Sequence, residues 1–381
     1  MNDIAIIIPT FNSKLYILDA INSIIQQSIS SPIKIYIVDD NSSDNTIEII
    51  ESINLPQHIN IEILKNTKNM KQGYSRNRAL KLVNEEYVLF LDSDDYLNEN
   101  ALKITLESIQ LNKADIVFID WIYHLGDKGK YSYRLNNIIN DRDYLIGKEC
   151  ADLLALNVYY SVPALYRTSF LKDNNITYGE GYFYEDYEFM VQIAMLAKRI
   201  DFVHKPLYVV RTNNESTTSS NHHDNTHIDS LICALESCNK YLFNRSEYAI
   251  YYFHKYAINK ALYYIRYRAP RKNSYKNLKR VLKVLSLNKG YPTPLVQSKR
   301  NQYIFENRLI DNQKVFTMLK MYINIKFKNK VKKKMKKTIQ NTSNRKIKNN
   351  KIVFYGYDLE YKGNSRYLYE MMDKHGFDVV F

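Results

Sequence analysis

The chain has 381 residues, of which 45% are hydrophobic and 25% charged, with a formal net charge of +14. That length accommodates two or three domains and a substantial core. No apolar run approaches the roughly 18 residues of a bilayer span. Cys150, Cys233 and Cys238 form neither a CxxC pair nor a zinc set, so a soluble, cytosolic protein with reduced thiols is expected. The opening Met-Asn-Asp-Ile-Ala-Ile-Ile-Ile-Pro has no basic region of the kind that begins a signal peptide. Tyrosine is unusually abundant, at 34 residues against 15 Phe and 1 Trp. Ile, Asn and Lys are abundant as well, as a coding bias would also produce, so the tyrosines carry little functional weight.

In chain order, Ile4 to Ile8 is a continuous apolar run that predicts a buried strand, closed by Pro9-Thr10-Phe11-Asn12. Leu15, Leu18, Ile21, Ile24 and Ile25 recur at helical spacing. Ile33 to Val38 reads as a second strand, ending in Asp39-Asp40-Asn41-Ser42-Ser43-Asp44, with a helix from about Asn45 to Ser52. A third strand is predicted over Ile61 to Leu64, a polar loop over Asn66 to Gly73, and a helix over Ser75 to Leu82.

The next strand, Tyr87 to Leu91, runs into Asp92-Ser93-Asp94-Asp95, three carboxylates within four residues. A buried strand end cannot hold such a cluster without a cation to neutralise it. Asp92 and Asp94 are two apart, so an extended chain presents both on one side, where a hard divalent ion carrying a diphosphate would suit them. A solvated acidic turn is the competing reading. A helix around Asn100 to Gln110 and a strand from Asp115 to Ile119 continue the alternation. Alternating strands and helices with short connections predict a doubly wound, mostly parallel α/β sheet. The polar segments follow the first, second and fourth strands and so share one sheet edge, where a nucleotide would bind. No G-x-G-x-x-G or G-x-x-x-x-G-K-[ST] loop is present, so phosphate charge is left to a metal and basic side chains.

Four motifs in this order resemble family-2 glycosyltransferases of the GT-A fold: Ile-Ile-Ile-Pro9-Thr10-Phe11-Asn12, Val38-Asp39-Asp40-Asn41-Ser42-Ser43-Asp44, Ser75-Arg76-Asn77-Arg78-Ala79-Leu80 and Phe90-Leu91-Asp92-Ser93-Asp94-Asp95. The resemblance spans roughly residues 1–215, and the loop before Arg76 is shorter than the family's usual one. It implies a Rossmann-like GT-A domain acting on a UDP-sugar. Pro9 and Asp40 would line the base pocket, and Arg76 would contact the nucleotide. Asp92 and Ser93 would sit on the ribose side, and Asp94 with Asp92 would hold Mn²⁺ or Mg²⁺ on the diphosphate.

Further along, Gly179-Glu180-Gly181-Tyr182-Phe183-Tyr184 leads into Glu185-Asp186, followed by Phe189, Ile193 and Leu196 at helical spacing. Helix capping alone would account for acidic residues there. By the resemblance, Asp186 is the general base of an inverting transfer and Glu185 orients substrate. Ile200 to Arg211 reads as a strand. The resemblance makes Arg211 and Ser216 candidates for the leaving diphosphate, with Ser216 on a closing loop. His222 and His223 read as surface residues, with a further metal ligand as the competing reading.

Helical patterns from Thr226 to Leu285 and from Lys299 to Ile325 predict a C-terminal helical appendage. Twelve basic residues and no acidic one lie between Lys326 and Lys351. Such a run suits either a solvated linker or contact with an anionic polymer or membrane surface. Residues 351–381 resemble the opening β-α-β of a CDP-glycerol glycerophosphotransferase domain of teichoic acid and capsule polymerases, and a stop at Phe381 inside a strand implies an incomplete second domain. The expected domains are 1–220 (nucleotide half 1–98, acceptor half 99–220), 221–325, a linker 326–350, and 351–381. The expected partners are a UDP-sugar donor and an anionic teichoic acid or capsule acceptor, with peripheral membrane contact and self-association as further expectations and no nucleic acid. The competing class is a non-catalytic polymer-binding module that keeps the fold. A nucleotidyltransferase would bring a Gly-rich N-terminal phosphate loop, which is missing here.

Overall fold

A computed structural model describes residues 4–124, 142–156, 158–212 and 224–242, individual positions between 253 and 284, and the strands Lys351–Val353 and Asp378–Val380. The chain divides into two compact units, Met1–Glu306 and Asn307–Phe381.

The first unit is built on a mixed sheet. Strand β1 (Ile4–Thr10) is buried along its whole length, and β2 (Ile33–Asp39) nearly so. Both are covered on two faces, which is why their sequences read as unbroken apolar runs rather than alternations. With β3 (Ile59–Lys65) and β4 (Tyr87–Phe90) they form four parallel neighbours in the order β3-β2-β1-β4. Helices α1 (Ile17–Ile25), α2 (Thr46–Glu51) and α3 (Lys71–Leu82) make the crossovers. The short β5 (Tyr96–Leu97) and α4 (Ala101–Asn112) lead into β6 (Ile116–His124).

Beyond β4 the sheet departs from the all-parallel pattern. β8 (Ala164–Arg167) runs antiparallel between β4 and β6, with Leu89 opposite Leu165. The long β9 (Arg199–Arg211) lies parallel to β6 and antiparallel to both β5 and β7 (Tyr144–Ile146). Its pairing with β6 shifts register on either side of Asp120, which bends the sheet there.

A 3₁₀ turn (Gly147–Ala151) and α5 (Asp152–Ala155) precede β8, and α6 (Thr168–Asp173) follows it. Helix α7 (Glu185–Leu196) packs against α8 (Thr226–Leu242), whose Ile228, Leu231, Ala234, Leu235, Cys238 and Leu242 are buried. Asn239 donates to the Val284 carbonyl and Arg280 pairs with Asp229, tying the 253–284 positions to α8. No helix among the described residues is long and apolar enough to cross a membrane. In the second unit β10 (Lys351–Val353) and β11 (Asp378–Val380) pair in parallel.

Candidate active site

The carboxyl ends of β1, β2 and β4 meet at one sheet edge, and their loops are laced together. Asn12 and Asn41 take left-handed backbone conformations with φ of 49° and 67°, which asparagine tolerates better than most residues. The Asn12 amide donates to Ser42 Oγ, its Oδ1 accepts from the Ser43 amide, and the Ser13 amide donates to Thr46 Oγ1. Ser93 joins this lattice through a 2.7 Å hydrogen bond between its hydroxyl and that of Ser13. Pro9 is buried in β1 opposite Val38.

Asp40 is only 4% exposed. Its Oδ1 accepts from Asn66 Nδ2 at 2.7 Å and from the Met70 amide at 2.8 Å, and its Oδ2 accepts from the Lys71 amide at 2.7 Å. The carboxylate thus caps the start of α3, filling about three of its four acceptor positions. It is thereby fixed after β2 by donors from the loop and helix that follow β3.

After β4 the acidic residues separate into distinct environments. Asp95 is buried, accepting from the Tyr208 hydroxyl at 2.9 Å and the Arg211 amide at 2.9 Å. Burial, then the neighbouring charges of Asp92 and Asp94, push its carboxyl well above the usual range. Asp92 and Asp94 are half-buried at the edge. Arg211 lies beside them, its Nε donating to the Asp94 carbonyl and its Nη2 to Asp19 at 2.7 Å, between the rings of Tyr16 and Tyr96.

Arg76 is drawn into a buried ion network. Its side chain is 1% exposed, with Nη2 on Asp92 Oδ1 at 2.7 Å, Nη1 on Glu185 Oε1 at 2.8 Å, and Nη1 3.7 Å from Asp186 Oδ1. The guanidinium also lies over the Tyr178 ring. Burial opposes its charge, but Asp92, Asp186 and Glu185 more than offset this, so its pKa stands above the ordinary value. Three carboxylates thus converge on one planar fork.

Three neighbours of Arg76 make this convergence possible, and sequence reasoning assigned none of them. A Cβ on Gly73 would lie 1.9 Å from the Gly179 carbonyl oxygen, so only glycine lets α3 approach the 178–181 segment. Buried Asn77 clamps that segment, donating to the Tyr178 carbonyl and Glu180 while accepting the Tyr178 amide. Ser161, fully buried, donates its hydroxyl to Asp186 Oδ1 at 2.7 Å.

Helix α7 begins at Glu185, straight after Tyr184, whose φ of 69° is strained for an aromatic residue. The carboxylates of Glu185 and Asp186 bond to Arg76 and Ser161 rather than to amides of α7. That is more than the capping reading requires. Asp186 keeps 25% of its side chain exposed. Burial raises its carboxyl most, Arg76 lowers it, Glu185 raises it, and the balance stands at about 7. A carboxylate tuned to that value, with an open edge, can accept a proton near neutral pH.

Residues 5–174 match the family model described as Glycosyl transferase family 2. Within the curated proteins, the chain is 30% identical over 224 residues to the poly(ribitol-phosphate) beta-N-acetylglucosaminyltransferase TarS of Staphylococcus aureus, covering 56% of this chain and 36% of TarS. It is 29% identical over 220 residues to the minor teichoic acid biosynthesis protein GgaA of Bacillus subtilis, covering 55% of this chain and 47% of GgaA. The chain therefore spans between a third and a half of the length of these relatives. The fold is that of the crystal structure of S. aureus TarS 1-349 in complex with UDP-GlcNAc, with a TM-score of 0.58 and 21% identity over 75% of this chain and 89% of that one. It is the GT-A fold, an α/β sheet with flanking helices.

Within the family 2 region, the acidic edge fits a divalent cation delivered with a diphosphate. No group of three His, Cys, Asp or Glu side chains among the described residues forms a protein-only metal cage. Mg²⁺-type ions need only one or two carboxylates when phosphate oxygens complete the shell. Asp92 and Asp94, half-buried at the edge, are oxygen donors of that kind. Ser216, His222, His223 and residues 326–350 lie outside the described residues.

Proposed function

We propose that the chain is an inverting, metal-dependent glycosyltransferase that moves a hexosyl or N-acetylhexosaminyl group from a UDP-sugar to a hydroxyl of a cell-surface polymer, teichoic acid or capsule. The observation that carries this reading is the buried cation of Arg76, which joins Asp92 of the acidic edge to the Glu185–Asp186 pair. Donor side and proton acceptor are thereby held within one ion network. The family 2 match, and the UDP-GlcNAc in the TarS complex of the same fold, support the donor class.

In this mechanism Asp186 takes the proton of the acceptor hydroxyl as that oxygen bonds to the anomeric carbon from the face opposite the diphosphate. The bond from anomeric carbon to phosphate oxygen breaks in the same displacement, which inverts the centre. Glu185 fixes Arg76, and Arg76 keeps Asp186 ionised enough to act. Asp94 and Asp92 would hold Mn²⁺ or Mg²⁺, which supplies electrostatic stabilisation of the leaving diphosphate when bound. Arg211, beside the Asp94 carbonyl, adds positive charge on that side. Asp40, Pro9 and Ser93 shape the base and ribose side of the pocket.

The domain limits at 220, 325 and 350 belong to the same proposal, with the basic 326–351 run touching an anionic polymer or the inner membrane face of a cytoplasmic enzyme. The parallel pairing of Lys351–Val353 with Asp378–Val380 supports a β-α-β start of glycerophosphotransferase type. The test is donor hydrolysis across a panel of nucleotide sugars with and without Mn²⁺ or Mg²⁺. Metal-dependent release of UDP from one sugar donor is expected. Absence of any UDP-sugar binding or turnover, with retention of a polyanionic polymer, would replace the enzyme by a binding module.

A further inference from the structure

The acidic turn between β4 and β5 is not held by its own loop. Four hydrogen bonds from the last turn-facing residues of β9 fix it, across more than a hundred positions of sequence. The Tyr208 hydroxyl accepts the Asp92 amide at 3.2 Å and donates to Asp95 Oδ2 at 2.9 Å. The Arg211 amide donates to Asp95 Oδ1 at 2.9 Å, and Arg211 Nε to the Asp94 carbonyl at 3.1 Å. Within the turn, the Asp95 amide to Asp92 carbonyl bond of 3.1 Å closes the backbone.

Tyr208 is fully buried, opposite Leu97 on β5 and Trp121 on β6. Its ring cannot move without disturbing three strands, so its hydroxyl is a fixed point. A hydroxyl has one hydrogen to donate and can also accept. Here it uses both capacities on the two ends of the same turn.

We propose that Tyr208 is a positioning residue for ligand binding at the acidic edge: its hydroxyl sets the Asp92-to-Asp95 turn so that Asp92 and Asp94 present their carboxylates together to a cation-diphosphate. The inference rests on the metal-nucleotide reading above. It gives β9 a second role in that site, beside the one expected of Arg211. Residues that orient metal-binding carboxylates from outside the contact shell typically influence metal affinity by roughly 10–100-fold.

The test is isothermal titration calorimetry of UDP, with and without Mn²⁺, on the full chain and on Tyr208→Phe, Asp95→Asn and Asp94→Asn. Tyr208→Phe keeps the buried ring and removes only the hydroxyl. It is expected to weaken UDP binding in the presence of Mn²⁺ by roughly tenfold or more, at unchanged stoichiometry, with the metal-free affinity unaltered. A purely structural role would lower the binding-competent fraction or both affinities alike, and that result would overturn the inference. So would metal-assisted binding equal to wild type. Should Tyr208→Phe not fold, Asp95→Asn alters the same bond from its other end, and wild-type metal-assisted binding there would equally overturn the inference. Asp94→Asn separates the two readings. If it leaves metal-assisted binding intact, the metal site itself is wrong. If it abolishes that binding while Tyr208→Phe does not change it, only the positioning role falls.

Discussion

Replacing Arg76 by methionine tests the ion network most directly. The side chain is 1% exposed and makes two ion pairs, at 2.7 and 2.8 Å, with a third carboxylate at 3.7 Å. Methionine fills much of the volume but leaves Asp92, Glu185 and Asp186 facing one another without a cation. Removing one partner of a buried pair costs about 3–5 kcal/mol, and at roughly 2–4 °C per kcal/mol for a domain of this size the midpoint should fall by roughly 6–20 °C.

The deficit should depend on pH in a definite direction. Asp186 has a folded pKa raised to about 7, so between the ordinary carboxylate range near 4 and that value the native state holds a proton the unfolded chain has released. Its contribution is full below the unfolded pKa and is lost as pH rises through the folded one. Without Arg76 the folded pKa moves higher still, so the variant's stability deficit should be smaller at pH 5 than at pH 8. The rising limb of transfer rate against pH should move in the alkaline direction by the same cause. Urea unfolding at both pH values and a rate profile of donor turnover measure the two effects. Equal deficits at pH 5 and pH 8, together with an unmoved limb, would refute the network as the source of Asp186's tuning.

Asp186→Asn should reduce transfer by roughly 10²–10⁴-fold, while its midpoint at pH 8 rises above wild type, because a neutral amide needs no desolvated charge; calorimetry and single-turnover kinetics check both. Gly73→Ala puts a Cβ 1.9 Å from the Gly179 carbonyl oxygen and 3.0 Å from Glu185 Cβ. It should cost about 1–3 kcal/mol and lower turnover through displaced Glu185, read by denaturation and activity together. Asn77→Ala removes the partner of both the amide and the carbonyl of Tyr178. About 1–3 kcal/mol is expected for each buried group left unsatisfied, with faster hydrogen exchange at the Tyr178 amide as the local signature.

The sequence exposes those parts of the fold whose burial is apolar. β1, β2 and β4 are covered on both faces and read directly as apolar runs, and the acidic residues after β4 stand out against them. Helix α3 shows why other parts stay hidden. Its buried positions include Gly73, Ser75, Arg76 and Asn77, so its inward face is polar and glycine-bearing and carries no hydrophobic period. The helix starts at Lys71, inside what reads as a polar loop extending to Gly73. β5 and β8 have two and four residues, too few for a periodic signal. In the site, Asp92, Asp94, Glu185 and Asp186 are legible as residues needing a cation or a cap. Their pairing with Arg76 is not, because Glu185 lies 109 positions away and no local pattern encodes a contact at that separation.

The reversed strand explains how those distant residues come to share one cation. In a wholly parallel sheet every strand starts at the edge opposite the ligand crevice. β8 runs antiparallel to β4, with Leu89 opposite Leu165 and Val88 opposite Tyr166. Its amino end therefore lies beside the carboxyl end of β4, and the residues entering it, Ser161 among them, arrive next to the acidic turn. Its carboxyl end delivers α6 to the far edge, where the Arg167 amide bonds the Asp115 carbonyl and the Thr168 amide the Glu86 carbonyl. The chain then returns through the 178–181 segment, which Asn77 clamps, to set Glu185 and Asp186 against Arg76. Had β8 been parallel, Ser161 would sit at the opposite edge and could not hold Asp186. The inversion of one four-residue strand is thus what brings Ser161 and its partner Asp186 to the edge that carries Asp92.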